Sequence, residues 1–236
     1  MSRAITVLII WFIVGCVASA AHASSVGAGK TVGILNILDS QFLHLNLGMT
    51  RFGDKTTKFE ALHMPIPDYV NRELESKLHE LGYRTQELLL TEGLRESAPF
   101  YLSNSWNKWK ISKSGRSALA ELMRMQDCDA IIVVHNFVKS DQMGFSGSAV
   151  SGYGLYTRGK IRKVFGHIIG FVMRRTDGEL LGVSAPLYAV DSDVSELTRE
   201  TMASVEPVVI GFADHLVSGL ITNLDGTYPN NALTPN

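Results

Sequence analysis

Two cysteines, seven prolines and no surplus of either charge are what this 236-residue chain has least of. One cysteine, Cys16, sits in the apolar opening segment. A chain cleaved after Ala23 would keep only Cys128, and one thiol cannot close an internal disulfide, so stability must come from burial. The apolar neighbours of Cys128, Ala130-Ile-Ile-Val-Val134, point to a buried structural thiol. With 22 basic against 23 acidic side chains there is no electrostatic support for a nucleic-acid partner. Beyond His22, the histidines are His44, His63, His79, His135, His167 and His215, and none falls into an H-x-H or H-x₃-H spacing. Sequence therefore predicts no metal site and no cofactor. Glycines cluster near Gly147, but no Lys-Ser/Thr follows them at a helix start, which excludes a phosphate loop.

The hydrolase elbow G-x-S-x-G is also missing its last residue. Gly144-Phe145-Ser146-Gly147-Ser148 and Gly182-Val183-Ser184-Ala185-Pro186 each approach it, with Ser148 and Pro186 where the second Gly belongs. Ser184 falls inside an expected strand, not at a strand-to-helix turn. No catalytic residues are assigned. A periplasmic serine hydrolase with Ser146 or Ser184 as nucleophile stays as an alternative.

What is present begins at the amino terminus. Arg3 precedes an apolar run from Ala4 to Gly15, and a small-residue exit follows at Ala21-His22-Ala23. One positive charge, about a dozen apolar residues and an A-x-A site describe a secretory signal, with Ser24 as the new first residue. Ile13-Val14-Gly15-Cys16 resembles the lipobox of bacterial lipoproteins, in which the cysteine becomes the acylated first residue. An uncleaved anchor is the third option, though the run falls short of the ~20 residues that span a bilayer comfortably. Export is common to all three, and lipid on Cys16 would add membrane association. Cleavage after Ala23 leaves 213 residues with a formal charge of −2, enough for one domain with a core. The expected organisation is a signal at 1–23, a tether at 24–30, a domain at 31–224 and a flexible tail at 225–236.

Within the domain, Thr31 to Leu38 reads as a central strand, residues 42–52 as a second and Thr56 to Leu62 as a third. Val70, Leu74, Leu78 and Leu81 share one helix face, and Gly82 caps that helix before a strand from Tyr83 to Leu90. Residues 91–112 read as irregular, and a second helix spans 114–126. Asp129 to Val138 has the β-branched run of a strand covered on both faces. Val164–Arg175 and Leu180–Val190 form a hairpin around Asp177-Gly178. The last helix runs from about Val194 to Leu224, broken near Pro207, with Val208, Phe212, His215, Leu216 and Leu220 inward. The fold class is α/β (α+β): a single mixed β-sheet of four to six strands packed with about three helices.

Val32-Gly33-Ile34-Leu35, Leu81-Gly82-Tyr83-Arg84, Asp127-Cys128-Asp129-Ala130-Ile131-Ile132-Val133 and Arg175-Thr176-Asp177-Gly178-Glu179-Leu180-Leu181 occur in that order between helices. In this the chain resembles the α/β domain of bacterial envelope proteins: the curli-secretion lipoproteins, the lipoprotein activators of penicillin-binding proteins, and the amino-terminal domain of the Tol translocation protein. The resemblance covers most of residues 31–224, apart from the hairpin at 42–62 and the aromatic insertion at 97–112. It implies no catalytic residues, a periplasmic or outer-membrane location at its periplasmic face, and action by binding or assembly.

Two segments are expected to carry such binding. Tyr101, Trp106 and Trp109, interleaved with Lys108 and Lys110, could dock a protein, anionic headgroups or a glycan; docking requires at least two of the three aromatics to be more than half exposed. Phe145, Tyr153 and Tyr156 border a small-residue stretch that reads as a mobile hairpin. The reading is a non-enzymatic exported protein with an envelope protein partner. Self-association into a homo-oligomer and a small-ligand site at the sheet edge stay open.

Overall fold

The computed structural model describes residues 29–48, 54–88, 91–105, 108–137, 139–140, 149–185 and 187–226. Thirteen strands and four α-helices follow one another along these segments. Nine of the strands form one mixed sheet curled into a half-barrel.

The chain opens with β1 (Thr31–Ile37), then the antiparallel pair β2 (Phe42–Asn46) and β3 (Lys55–Phe59). Helix α1 (Ile66–Glu80) follows, and Val70, Leu74 and Leu78 are buried at the expected spacing. Leu81 lies outside it as the C-cap and is 38% exposed. Gly82 takes the left-handed conformation; its N–H bonds His79 O and that of Tyr83 bonds Leu78 O, which ends the helix as the sequence predicts. β4 (Arg84–Glu87) then returns parallel to β1.

The described residues of 91–112 are not irregular. Thr91 caps a short helix α2 (Glu92–Ser97), a 3₁₀ turn covers Ala98–Phe100, and β5 (Leu102–Ser105) pairs with β6 (Lys108–Ile111). Helix α3 (Lys113–Met125) is capped by Ser112. β7 (Ala130–Asn136) lies between β1 and a later strand, so the expectation of a central, doubly covered strand holds. The crossover from β1 to β4 carries α1 on one face. The return from β4 past β1 to β7 runs the opposite way, so a right-handed connection places α3 on the other.

After the small pair β8 (Lys139–Ser140) and β9 (Ala149–Val150) come β10 (Gly152–Arg158) and β11 (Ile161–Arg174), an antiparallel hairpin. β11 is the spine of the sheet. Its first half pairs with β10 and β13 (Leu187–Asp191), its second with β7 and β12 (Leu180–Ser184). β10 also pairs in parallel with β2. One long strand thus joins two five-stranded arrays. One finding departs from the sequence reading, nine strands instead of four to six; the expected hairpin is present, its second arm pairing with β11 as β12 and β13.

Helix α4 (Arg199–Asp225) starts five residues later than expected, because Thr198 and Thr201 form a reciprocal capping box. It is also continuous through Pro207. Proline frees the carbonyl four residues back, here Ala203, and both residues are exposed, so water can satisfy it. With Leu197 and α1, α4 buries Val32, Ile34, Ile132, Val134, Ile168 and Val172 on one sheet face. α3, Tyr101 and Leu102 cover Leu35, Ile131, Val133, Ile169 and Phe171 on the other. Cys128 belongs to this second cluster, fully buried, and burial pushes its thiol pKa up. α4 is long and apolar enough to cross a bilayer by composition, but its Met202, Val205, Val209, Leu216 and Leu220 are buried against the sheet. His215, expected inward, is exposed instead.

Candidate functional site

The line of contact between β11 and α4 explains how one edge of the sheet is left open. Gly166 and Gly170 face the helix, and a Cβ there would meet Phe212 at 2.5 Å and Leu220 at 2.8 Å. Four strand residues span ~13 Å and eight helical residues ~12 Å, so α4 follows β11 nearly in register. Beside that contact, Tyr188 of β13 pairs across from Gly166 and sets its ring 5.6 Å from Phe212 and 5.8 Å from His215. A cross-strand aromatic thereby fills the space that glycine leaves open. Tyr188 and Val190, two apart on the same face, remain 46% and 48% exposed.

Edge strands of soluble sheets are commonly guarded by charge. β3 carries Lys55 and Lys58, and β4 carries Arg84 and Glu87. β13 reads Leu-Tyr-Ala-Val before Asp191, and among the described residues it pairs with β11 alone. It is an apolar edge with no charged side chain over four residues. The sequence signal was Pro186 before an uncharged β-prone run, since proline marks edges and strand starts. Reading 180–190 as one strand hid it.

A second feature lies at the carboxyl ends of parallel β1, β4 and β7, where α/β sheets commonly bind ligands. An open depression of about 410 Å³ is lined by Asn36, Asp39, Pro67, Asp68, Asn71 and Glu87. Its polar groups are spent on one another. The Asn36 amide donates to Pro67 O at 2.9 Å and Asn71 Oδ1 at 2.8 Å, while its Oδ1 accepts from Leu38 N. Asn71 donates to Glu87 at 3.3 Å, Asn136 to Asp39 Oδ2 at 2.7 Å, and the Tyr153 hydroxyl to Asp39 O. This network fastens the start of α1 and the end of β7 to the sheet.

Several buried polar side chains have similar structural partners, although His135 Nε2 and Asn136 Oδ1 have no hydrogen-bond partner among the described residues. His44 Nδ1 accepts from Leu197 N at 3.4 Å, which leaves Nε2 to donate to Thr157 Oγ1 at 3.1 Å. His135 Nδ1 donates to Asn136 O at 2.8 Å. Burial lowers the pKa of both imidazoles; for His44, Glu196 opposes this and Lys55 adds to it. Glu206, 1% exposed on α4, accepts from His63 N at 3.3 Å and His63 Nδ1 at 2.9 Å, which docks the loop ahead of α1. Tyr69 donates to Asp214 at 2.6 Å; burial and that bond push its pKa up to about 12. No three of His, Cys, Asp and Glu gather to hold a metal among the described residues.

The residues singled out from sequence are placed as follows. Tyr101 is 8% exposed and hydrogen-bonds Ser97 at 2.8 Å, and Trp109 packs its ring 5.9 Å from Phe137, half-buried on the second cluster. The exposure that docking requires of two among Tyr101, Trp106 and Trp109 therefore fails for Tyr101 and Trp109, because these rings close the sheet face that α3 leaves bare. Lys108 and Lys110 point to solvent beside them, while Trp106 lies outside the described residues. Tyr153 and Tyr156 are fully buried in β10 instead of at a mobile tip, since β2 and β11 flank that strand. Ser184 closes β12 and is buried against Gly219, with no helix following it. Cys16, Ala21, Ala23, Ser24, Phe145 and Ser146 lie outside the described residues.

No protein-family model and no curated protein sequence matches the chain. Solved structures give remote likenesses. Lipoprotein GNA1162 from Neisseria meningitidis is 9% identical with a TM-score of 0.35, over 77% of this chain and 96% of that one. Protein XCC0632 from Xanthomonas campestris is 8% identical with a TM-score of 0.40, over 86% and 88%. The LpoB C-terminal domain from Salmonella enterica is 9% identical with a TM-score of 0.24, over 72% and 85%.

Proposed function

We propose that the protein is exported to the bacterial envelope and acts there without catalysis, by pairing with an extended segment of a protein partner along β13. The observation that carries this reading is the unguarded edge: Tyr188 and Val190 half exposed on a strand with one pairing partner among the described residues. Adding a strand there would satisfy the open backbone groups of β13 and bury both side chains. The export signal and the resemblance to binding and assembly domains support this compartment and mode of action. A periplasmic serine hydrolase is less well supported, since Ser184 sits in a strand that leads into another strand, away from the turn that exposes a nucleophile.

The test is site-directed photo-crosslinking in living cells. A photoreactive side chain at position 188 should trap a discrete protein, and Val190→Lys should abolish the adduct by placing charge on the edge. The same probe at position 84, on guarded β4, should trap none. Equal adducts from both positions, or none from 188, would overturn the proposal.

A further inference from the structure

The turn between β10 and β11 carries a second, independent feature. Arg158-Gly159-Lys160-Ile161-Arg162-Lys163 places four cations in six residues of a chain whose net charge is −1. Lys163 is balanced by Asp191 at 3.5 Å, and among the described residues Arg162 bonds the backbone carbonyl of Asp193 at 3.0 Å. Arg158 and Lys160 form no ion pair among the described residues. Between Lys160 and Arg162 stands Ile161, 48% exposed although it begins the spine strand of the sheet. Lys160, Ile161, Arg162, Lys163, Tyr156, Asp191 and Ser192 line an open depression of about 480 Å³.

A solvated turn accounts for the cations, and a lone exposed aliphatic is ordinary by itself; the two together are what call for a surface. The combination is the one that suits a bilayer surface: ammonium and guanidinium groups meet phosphates while an apolar side chain enters the interface. We infer that this turn rests on an anionic lipid surface, with Lys160, Arg158 and Arg162 on headgroup phosphates and Ile161 dipping below them. The contact is peripheral. Residues 153–157 of β10 are buried inside the protein, so the strand itself is not available to lipid. The inference rests on the envelope location proposed above but not on the Tyr188–Val190 edge of β13, which is tested by crosslinking, although Asp191 at the end of that strand borders the turn.

The test is co-sedimentation of the mature protein, purified from envelope fractions, with vesicles of phosphatidylcholine alone or mixed with phosphatidylglycerol. Any amino-terminal lipid contributes to both, so the readout is the ratio of anionic to neutral binding. That ratio should exceed one and fall as salt rises. Lys160→Gln and Arg158→Gln should each lower it about fivefold, the usual effect of one basic side chain at an anionic surface. Ile161→Asn should weaken binding to anionic vesicles at high salt as well. Thermal melts should be unchanged for Lys160→Gln and Ile161→Asn, whose side chains are exposed, and little changed for the partly buried Arg158→Gln; Lys77→Gln on α1 is the distant control. A ratio of one, equal loss in the Lys77 variant, or no loss in the turn variants overturns the inference. So does full displacement by inorganic phosphate at constant ionic strength, which would assign the depression to a free anion.

Discussion

Gly154→Ala should be among the most damaging single-methyl additions in the protein, and its cost follows from the geometry. Gly154 has φ +147°, a region that side chains avoid. It lies in β10 directly between Leu43 of β2 and Phe165 of β11. A Cβ there would fall 2.0 Å from Leu43 O and 2.7 Å from Leu43 N. Both are backbone atoms, so no rotamer change relieves the overlap. Either β2 moves away and breaks its parallel ladder, or β10 changes conformation. Dihedral strain of ~1–3 kcal/mol and overpacking of ~1–3 kcal/mol together give about 4 kcal/mol. For a domain of this size each kcal/mol lowers Tm by ~2–4 °C, so a fall of roughly 8–16 °C is expected. Gly159→Ala is the matched control: its φ is +57° but nothing lies within 4 Å. It should cost only ~1 kcal/mol of left-handed strain. The assay is thermal and urea unfolding of both variants. Equal Tm values for the two would refute the claim that the β2–β10 contact, and not the dihedral alone, requires glycine.

Tyr101→Ala should cost ~3–5 kcal/mol, as for other buried aromatics, while Tyr101→Phe loses only the Ser97 bond at ~0.5–1.5 kcal/mol; Phe100→Ala, at a site 79% exposed, should stay within ~0.5 kcal/mol. A neutral melt for Tyr101→Ala would remove it from the core. Because His44 and His135 have pKa values lowered from 6.5, the unfolded chain binds more protons below that value. Stability should therefore be level above pH 7 and decline as pH falls from about 6.5 toward the lowered values; a urea midpoint that holds or rises over pH 7 to 5 contradicts this. Amino-terminal sequencing of envelope material should return Ser24, or a blocked, acylated Cys16, and Cys16→Ser separates the two routes. Met1 or Ser2 from a soluble fraction would contradict export.

How much of this was legible in sequence depended on the range of the forces involved. Local features were readable: the α1 face of Val70, Leu74 and Leu78, the Gly82 cap, the β-branched run of β7 and the burial of Cys128. Each is set by neighbours a few residues away, through helical period, capping bonds or the need to cover both faces of a strand. The segment 91–112 was misread because its elements are only three to six residues long, too short for a period to show. Its aromatics looked like a docking surface because composition cannot tell which side of a ring faces the core.

By itself the sequence determined the α+β class, the positions of the main helices and the central strand, because amphipathic period and β-branched runs act locally. Only the tertiary structure decided that β2 joins β10 in parallel, 110 residues or so downstream, and that β11 spans two arrays. It also decided that β13 is an apolar edge and that Arg158 and Lys160 of the β10–β11 turn form no ion pair among the described residues, while Lys163 pairs with Asp191. Strand neighbours are chosen by contacts between distant residues, such as Gly154 against Leu43 or Gly166 under Phe212 and Tyr188, and no local pattern records them.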